Sequence, residues 1–244
     1  GAPFPELTID MTGAGREGVV FSSGVSSPST LTPAGYFVNP HPAAIALGRT
    51  LALLERAFGL GASFVTILEP ASERGRAAVE ELQEQTVSLL NFQPVERRVF
   101  SAQLAFNLLP ESAASSRTES IVGRQLQATL GERVSLPRLM VTQAPTFHGH
   151  ALCLFVDLPK APTVDEIVEC FAGEPGAFTT YSEGAGASPV EVIGNDRIHI
   201  SRVFADARHS GSYGLWIAID NLRIAASNAI QTAERLMFAP APQG

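Results

Sequence analysis

Several stretches of this chain carry residue types that can do chemistry. His148-Gly149-His150 sets two imidazoles two residues apart. In a strand, positions i and i+2 share a face, so the pair could begin a metal site. Zinc needs three or four ligands. No Asp, Glu or Cys partner lies at ligand spacing on that face, and Cys153 falls on the opposite one. The spacing therefore points to no metal. His41, His199 and His209 stand apart in the sequence and read as surface or satisfied histidines. Gly13-Ala14-Gly15-Arg16-Glu17-Gly18 follows a strand and matches the glycine pattern of a dinucleotide-binding turn. That turn must feed a helix whose N-terminus faces the pyrophosphate. Here Val19-Val20-Phe21-Ser22-Ser23-Gly24 follows, which is poor helix sequence, and no strand ending in an acid comes about 20 residues later. The match reads as a flexible loop.

Nucleophiles fare no better. Cys153 lies in the apolar run Ala151-Leu152-Cys153-Leu154-Phe155, and Cys170 in the helical run Ile167-Val168-Glu169-Cys170-Phe171. A reactive thiolate needs a helix N-terminus or a nearby cation, so both read as inert core thiols. No G-x-S-x-G elbow of a serine hydrolase occurs.

These residues need elements to position them. Glu6 to Met11 and Gly35 to Val38 read as short strands. Pro42 to Phe58 has helical spacing, with proline at its start and Gly59 at its end. Ser63 to Leu68 is a buried strand, and Ser72 to Leu90 a helix capped by Ser72. Leu104 to Leu109 reads as a strand and Thr118 to Leu130 as a helix. Strands near Val134 to Thr142 and His150 to Leu158 follow. Thr163 and Glu166 form a capping-box signature. Strands near Ile198 to Phe204 and Leu215 to Ile219 precede a last helix, Leu222 to Leu236, that Asp220 or Asn221 would cap. Helices between strands early and strands clustered late fit an α+β domain, a mixed β-sheet with helices on one face.

Hydrophobic residues make up 45% of the 244-residue chain and charged residues 17%, which suits a packed globular protein. The formal net charge is -7 with no basic run, which argues against nucleic-acid or anionic-membrane partners. No apolar run approaches a membrane span and no signal peptide opens the chain. Two cysteines without a disulfide framework fit a cytoplasmic location. The chain opens on Gly1 rather than Met and reads as a fragment or processed form.

Five segments, in order, resemble the aspartate-semialdehyde dehydrogenase family. They are Asn39-Pro40-His41-Pro42; Glu81-Leu82-Gln83-Glu84-Gln85-Thr86; Gln103-Leu104-Ala105-Phe106-Asn107; Gln143-Ala144-Pro145-Thr146-Phe147-His148-Gly149-His150; and Leu215-Trp216-Ile217-Ala218-Ile219-Asp220-Asn221-Leu222-Arg223. The resemblance implies a sheet like the C-terminal domain of glyceraldehyde-3-phosphate dehydrogenase, plus a remnant of a Rossmann domain. Residues 1–38 would be the end of the NAD(P)-binding domain, 39–220 the dimerisation domain, and 221–244 the C-terminal helix and tail. It further implies a homodimer, a small-molecule ligand, NAD or NADP as cofactor, and a place in amino-acid biosynthesis. Asn39 and Asn221 would contact the cofactor.

In that family a thiolate attacks an aldehyde, hydride passes to the nicotinamide, and phosphate releases the acyl group. The resemblance puts the thiol at Pro42, a glutamine at Glu69, a substrate-binding arginine at Gln143 and the acid/base histidine at His150. A phosphate-binding lysine belongs near Ile121, and the helix there has none. Three of the four catalytic positions have thus changed, and only His150 is retained. The chain is similar to Usg-type paralogues that lack the cysteine, which implies a catalytically degenerate homodimer with a structural, ligand-binding or regulatory role. Two other readings stand beside it. One is an NAD(P)-dependent oxidoreductase acting on an aldehyde or oxo group through His150, alone or with Glu69. The other is an active semialdehyde dehydrogenase with its thiol supplied from elsewhere, Cys153 being nearest to His150 in sequence.

Overall fold

Helix α1 (Pro42–Phe58) is the centre of the protein. Pro42 occupies its first turn, where a missing N–H costs nothing. His41 caps it, its Nδ1 accepting from the Ala43 amide at 3.2 Å, and Gly59 ends it at φ 75°. Its apolar residues bury on nearly every side: Ala43, Ile45, Leu47, Leu51 and Leu54 are all fully enclosed. A computed structural model describes residues 7–10, 18–26, 35–110, 117–132, 134–182 and 186–238. Of the glycine motif, only Gly18 falls among them.

The helix packs on a seven-stranded mixed sheet. Its strands are β4 (Ser63–Glu69), β5 (Leu109–Pro110), β6 (Arg138–Gln143), β7 (His150–Asp157), β8 (Phe178–Thr180), β9 (Ile198–Ala205) and β10 (Ser212–Ile219). Their order is β5-β6-β4-β7-β10-β9-β8. β4 runs parallel to β6 and antiparallel to β7; β10 is antiparallel to both β7 and β9. Strand alternation sorts the side chains. Val65, Ile67, Leu152, Leu154 and Ile217 enter the core with α1, while Phe64, Met140, Phe155 and Phe204 stand exposed. The expected α+β class, with helices against one face of a mixed sheet, is the architecture found.

Among the described residues, a second, three-stranded parallel sheet and four more α-helices complete the fold with one 3₁₀ turn. The small sheet holds β1 (Leu7–Asp10), β2 (Val19–Val20) and β3 (Gly35–Val38) in the order β1-β3-β2. The helices are α2 (Arg76–Leu90), α3 (Arg117–Leu130), α4 (Val164–Ala172) and α5 (Asn221–Phe238). Thr163 and Glu166 close the expected capping box at α4. No helix among the described residues is long and apolar enough to cross a membrane.

Three element expectations are corrected. Ser72 is not a helix cap. Residues Ala71–Arg74 form a 3₁₀ turn tied back by Ala71 N–H to Thr146 O and Ser72 N–H to Phe147 O; Gly75, at φ 84°, then breaks the chain before α2. Leu104 to Leu108 is not a strand, and only Leu109 of the expected span pairs, as the start of β5. Gln85 Oε1 accepts the amides of Leu104 and Ala105, and Phe106 sits at φ 60°, so residues 104–106 cannot pair in a sheet. β6 starts at Arg138 rather than Val134, directly after Pro137, which has no N–H to give a ladder.

The loop just before that segment, residues 98–100, is held by one buried acid. Glu81 accepts the amides of Arg98 at 2.8 Å, Val99 and Phe100, and also the Gln85 side chain at 2.9 Å.

Candidate functional site

The sheet register gathers distant residues at one end. Glu69 closes β4 and Gln143 closes β6, and the two are register partners. His150 opens the antiparallel β7 beside them. All three are buried on the side facing the helices. Pro42 begins α1 over the same end, because His41 meets the His150 ring edge-on at 5.5 Å.

Glu73 completes the cluster. Its Oε2 lies 3.2 Å from His41 Nε2. Its Oε1 accepts from Asn221 Nδ2 at 2.7 Å. The ligating atoms of His41, Glu73 and His150 all lie within 4.8 Å of one another. His150 is fully buried, and neither of its ring nitrogens has a hydrogen-bond partner among the described residues. Burial holds its pKa down to about 4, against the pull of Glu73, so the ring is neutral at physiological pH. Burial pushes the Glu73 carboxyl up, but the hydrogen bond from His41, the attraction of His150 and donation from Asn221 outweigh it and leave the group at about 2. A neutral imidazole and a carboxylate therefore share a largely buried space.

Sequence spacing leaves His41 isolated and gives His150 no partner. His41 is a satisfied histidine, bonded to the Ala43 amide and paired with Glu73, and the fold brings both residues beside His150 from segments far apart in the chain. The i, i+2 argument for His148 and His150 fails. Gly149 turns at φ 83°, and β7 begins only at His150, so the two histidines do not share a strand face. Gly149 has no substitute: a Cβ there would come within 2.8 Å of Pro189 O. Asn221 Oδ1 accepts the Gly149 amide at 3.0 Å and fixes the turn.

The other expected site residues are placed as follows. Gln143 is spent on structure: its Nε2 donates to Glu69 O at 2.7 Å, and its Oε1 accepts from Arg74 Nε at 2.7 Å. Arg74 thereby puts a guanidinium next to the position where the resemblance expects one. Asn39 and Asn221, expected at a cofactor, are both buried and turn their amides inward. Asn39 Nδ2 donates to Ala225 O and its Oδ1 accepts from Asn228, which stitches β3 to α5. Asn221 bonds Gly149, Ser72 and Glu73. Ile121 lies in the first half of α3.

Neither thiol joins the site. Cys153 is three residues from His150 along β7 and faces the open side of the sheet, between Thr66 and Trp216. Burial raises the pKa of both Cys153 and Cys170. Cys153 as the source of a catalytic sulfur is therefore excluded by geometry. Sequence reasoning missed Glu73, Ser72, Arg74 and Gln125, whose Oε1 accepts the His41 amide at 2.7 Å. Helical periodicity gives Glu73 the look of an ordinary acid in a first turn, and nothing local marks it as a partner of His41.

The sequence pattern of the semialdehyde dehydrogenase dimerisation domain matches residues 51–224. A USG-1 protein homolog from Pseudomonas aeruginosa is 31% identical over 240 residues, covering 94% of this chain and 71% of its own. The chain belongs to the aspartate-semialdehyde dehydrogenase family. An aspartate-semialdehyde dehydrogenase from Rickettsia bellii is 29% identical over 207 residues, 82% of this chain but 61% of that protein. The chain thus spans about three fifths of that relative's length. In three dimensions it matches a solved probable aspartate-semialdehyde dehydrogenase from Pseudomonas aeruginosa, with a TM-score of 0.86, 29% identity, and coverage of 95% of this chain and 72% of that one. Family membership accounts for the fold and its sheet order; it does not by itself say which chemistry the site performs.

Proposed function

We propose that this protein is a family member that has given up thiol chemistry and uses the family's fold as a homodimeric, ligand-binding or regulatory body. The observation that carries the reading is Pro42. The position where the family resemblance expects the attacking sulfur is a pyrrolidine ring at the first turn of α1, and both sulfurs of the chain's cysteines lie elsewhere. Gln143 supports it, because its side chain is engaged with Glu69 and Arg74. Loss of a nucleophile alone costs on the order of 10⁶ in rate.

Dimerisation is supported by the open face of the sheet. Phe64, Met140, Phe155 and Phe204 form an exposed apolar surface, and Phe155 and Phe204 stack edge-on at 6.2 Å. A face of that kind marks a protein contact. NAD or NADP and residues 1–38 as the end of a nucleotide domain follow from the resemblance, a cytoplasmic location follows from the two free thiols, and all belong to the same proposal.

The test is turnover. Full-length protein, aspartate β-semialdehyde, NADP and phosphate should give no phosphate-dependent reduction of the nicotinamide. A phosphate-dependent rate that disappears in His150→Ala would overturn the reading. One observation favours a second reading: His150 is neutral, buried and next to the Glu73 carboxylate, an arrangement able to exchange a proton. An NAD(P)-dependent oxidoreductase without a covalent intermediate would use it. Turnover of other small aldehydes without phosphate, lost in His150→Ala, would select that reading.

A further inference from the structure

We infer that His41, Glu73 and His150 form a binding site for one divalent transition-metal ion of the zinc type. Two imidazoles and one carboxylate are a donor set that zinc and its neighbours accept, with a further position left for water or ligand. Tetrahedral bonds of about 2.0–2.1 Å put neighbouring ligand atoms about 3.3 Å apart. His41 Nε2 and Glu73 Oε2 are already 3.2 Å apart. All three ligand atoms lie within 4.8 Å, so His150 closes the triangle with a shift of up to about 1.5 Å.

Two further features point the same way. Both nitrogens of the fully buried His150 lack a partner among the described residues, a costly state that a metal ion would relieve at one of them. The carboxylate is also prepared by a surrounding shell. Asn221 Nδ2 holds Glu73 Oε1 at 2.7 Å and leaves Oε2 toward the histidines; Asn221 is itself fixed by Gly149 and Ser72. One contact works against binding. His41 Nδ1 accepts the Ala43 amide at 3.2 Å, and a metal on Nε2 would place the proton on Nδ1 and give up that bond.

The inference deepens the same site and rests on the ligand-binding reading of it. Metal titration reads binding without turnover, so its failure would leave the loss of thiol chemistry untouched. The experiment titrates Zn²⁺ into tag-free, chelator-stripped protein against a chromophoric competitor, with Co²⁺ absorption as a probe of tetrahedral geometry. One ion per chain is expected. Glu73→Gln, which keeps an acceptor for Asn221, should weaken it by more than the roughly 10–100-fold that loss of an outer-shell partner costs. His150→Ala should do the same. His41→Asn keeps a capping residue and should also lose affinity. His209→Ala, in a surface pair with Asp206, should bind as the wild type does. Circular dichroism reports whether each variant folds; if His150→Ala does not, Glu73→Gln and His41→Asn decide. Absence of stoichiometric binding, or wild-type affinity in Glu73→Gln and His41→Asn, would overturn the inference.

Discussion

Replacing Pro42 by cysteine puts a thiol back where the resemblance expects one, and the structure sets how reactive it should be. Position 42 is the first residue of α1 and half-buried, next to first-turn amides that have no intrahelical acceptor. Those amides and the helix dipole favour a thiolate. Thiols at helix N-termini have pKa values of about 3.5–7.5. Cys153 and Cys170 are also half-buried, but burial raises them above 9.0. At the upper limit of about 7.5, the introduced thiol would be roughly one quarter ionised at pH 7, against about 1% or less for the native thiols. The ratio is about 25-fold. Intrinsic nucleophilicity falls with pKa at a slope of about 0.4–0.5, which returns a factor of about 5. For a thiol at that upper limit, a net advantage of about 5-fold remains. The assay is alkylation by iodoacetamide at pH 7, followed site by site by peptide mass spectrometry, with the two native cysteines as internal standards. Adding Glu73→Gln removes the neighbouring negative charge and should raise the rate further. Alkylation of the introduced thiol no faster than that of Cys153 would refute the placement of position 42 at a site built to activate a nucleophile.

Glu81→Ala strands three loop amides that now share one carboxylate, and should cost about 3–5 kcal/mol in urea unfolding; less than about 1 kcal/mol would show that the loop does not depend on it. Asn221→Ala removes the acceptor of Gly149 and the donor to Glu73, with an expected loss of about 2 kcal/mol and faster hydrogen exchange at the Gly149 amide. Phe155→Asp charges the open sheet face and should turn a dimer into a monomer by light scattering; an unchanged mass would place the dimer contact elsewhere. Burial lowers the pKa of His199 below 6.5, so the unfolded chain takes up its proton first as the medium acidifies. The stability His199 allows is complete above about pH 6.5 and is lost as pH falls through the folded value. His199→Gln, which keeps a hydrogen-bonding group for Tyr181, should therefore shrink the drop in Tm between about pH 7.5 and 5.5; an undiminished drop would assign the acid sensitivity to another group.

The sequence by itself determined the parts governed by local physics. Pro42 and Gly59 bracket α1 because proline suits a first turn and glycine accepts the positive φ that ends it. Thr163 and Glu166 mark the start of α4 because the reciprocal cap is written within four residues. Alternation in β4 and β7 names the buried face, and the quoted motifs point to the family. The segment after α2 misleads because its apolar residues look like a strand, whereas Gln85, a turn of helix away from Glu81, takes the amides that a strand would need.

Only the tertiary structure decided what His150 meets. The antiparallel entry of β7 beside β4 carries it to the end of the sheet where Glu69 and Gln143 finish, and α1 brings His41 over that end. Glu73 arrives on a short 3₁₀ turn pinned by Thr146 and Phe147, which no periodicity reveals. Local pattern fixes a side chain's face and capping role, because those depend on neighbours within a turn or two. Which charges share a buried space depends on how three remote segments pack, and that is set by the register of strands and the burial of α1.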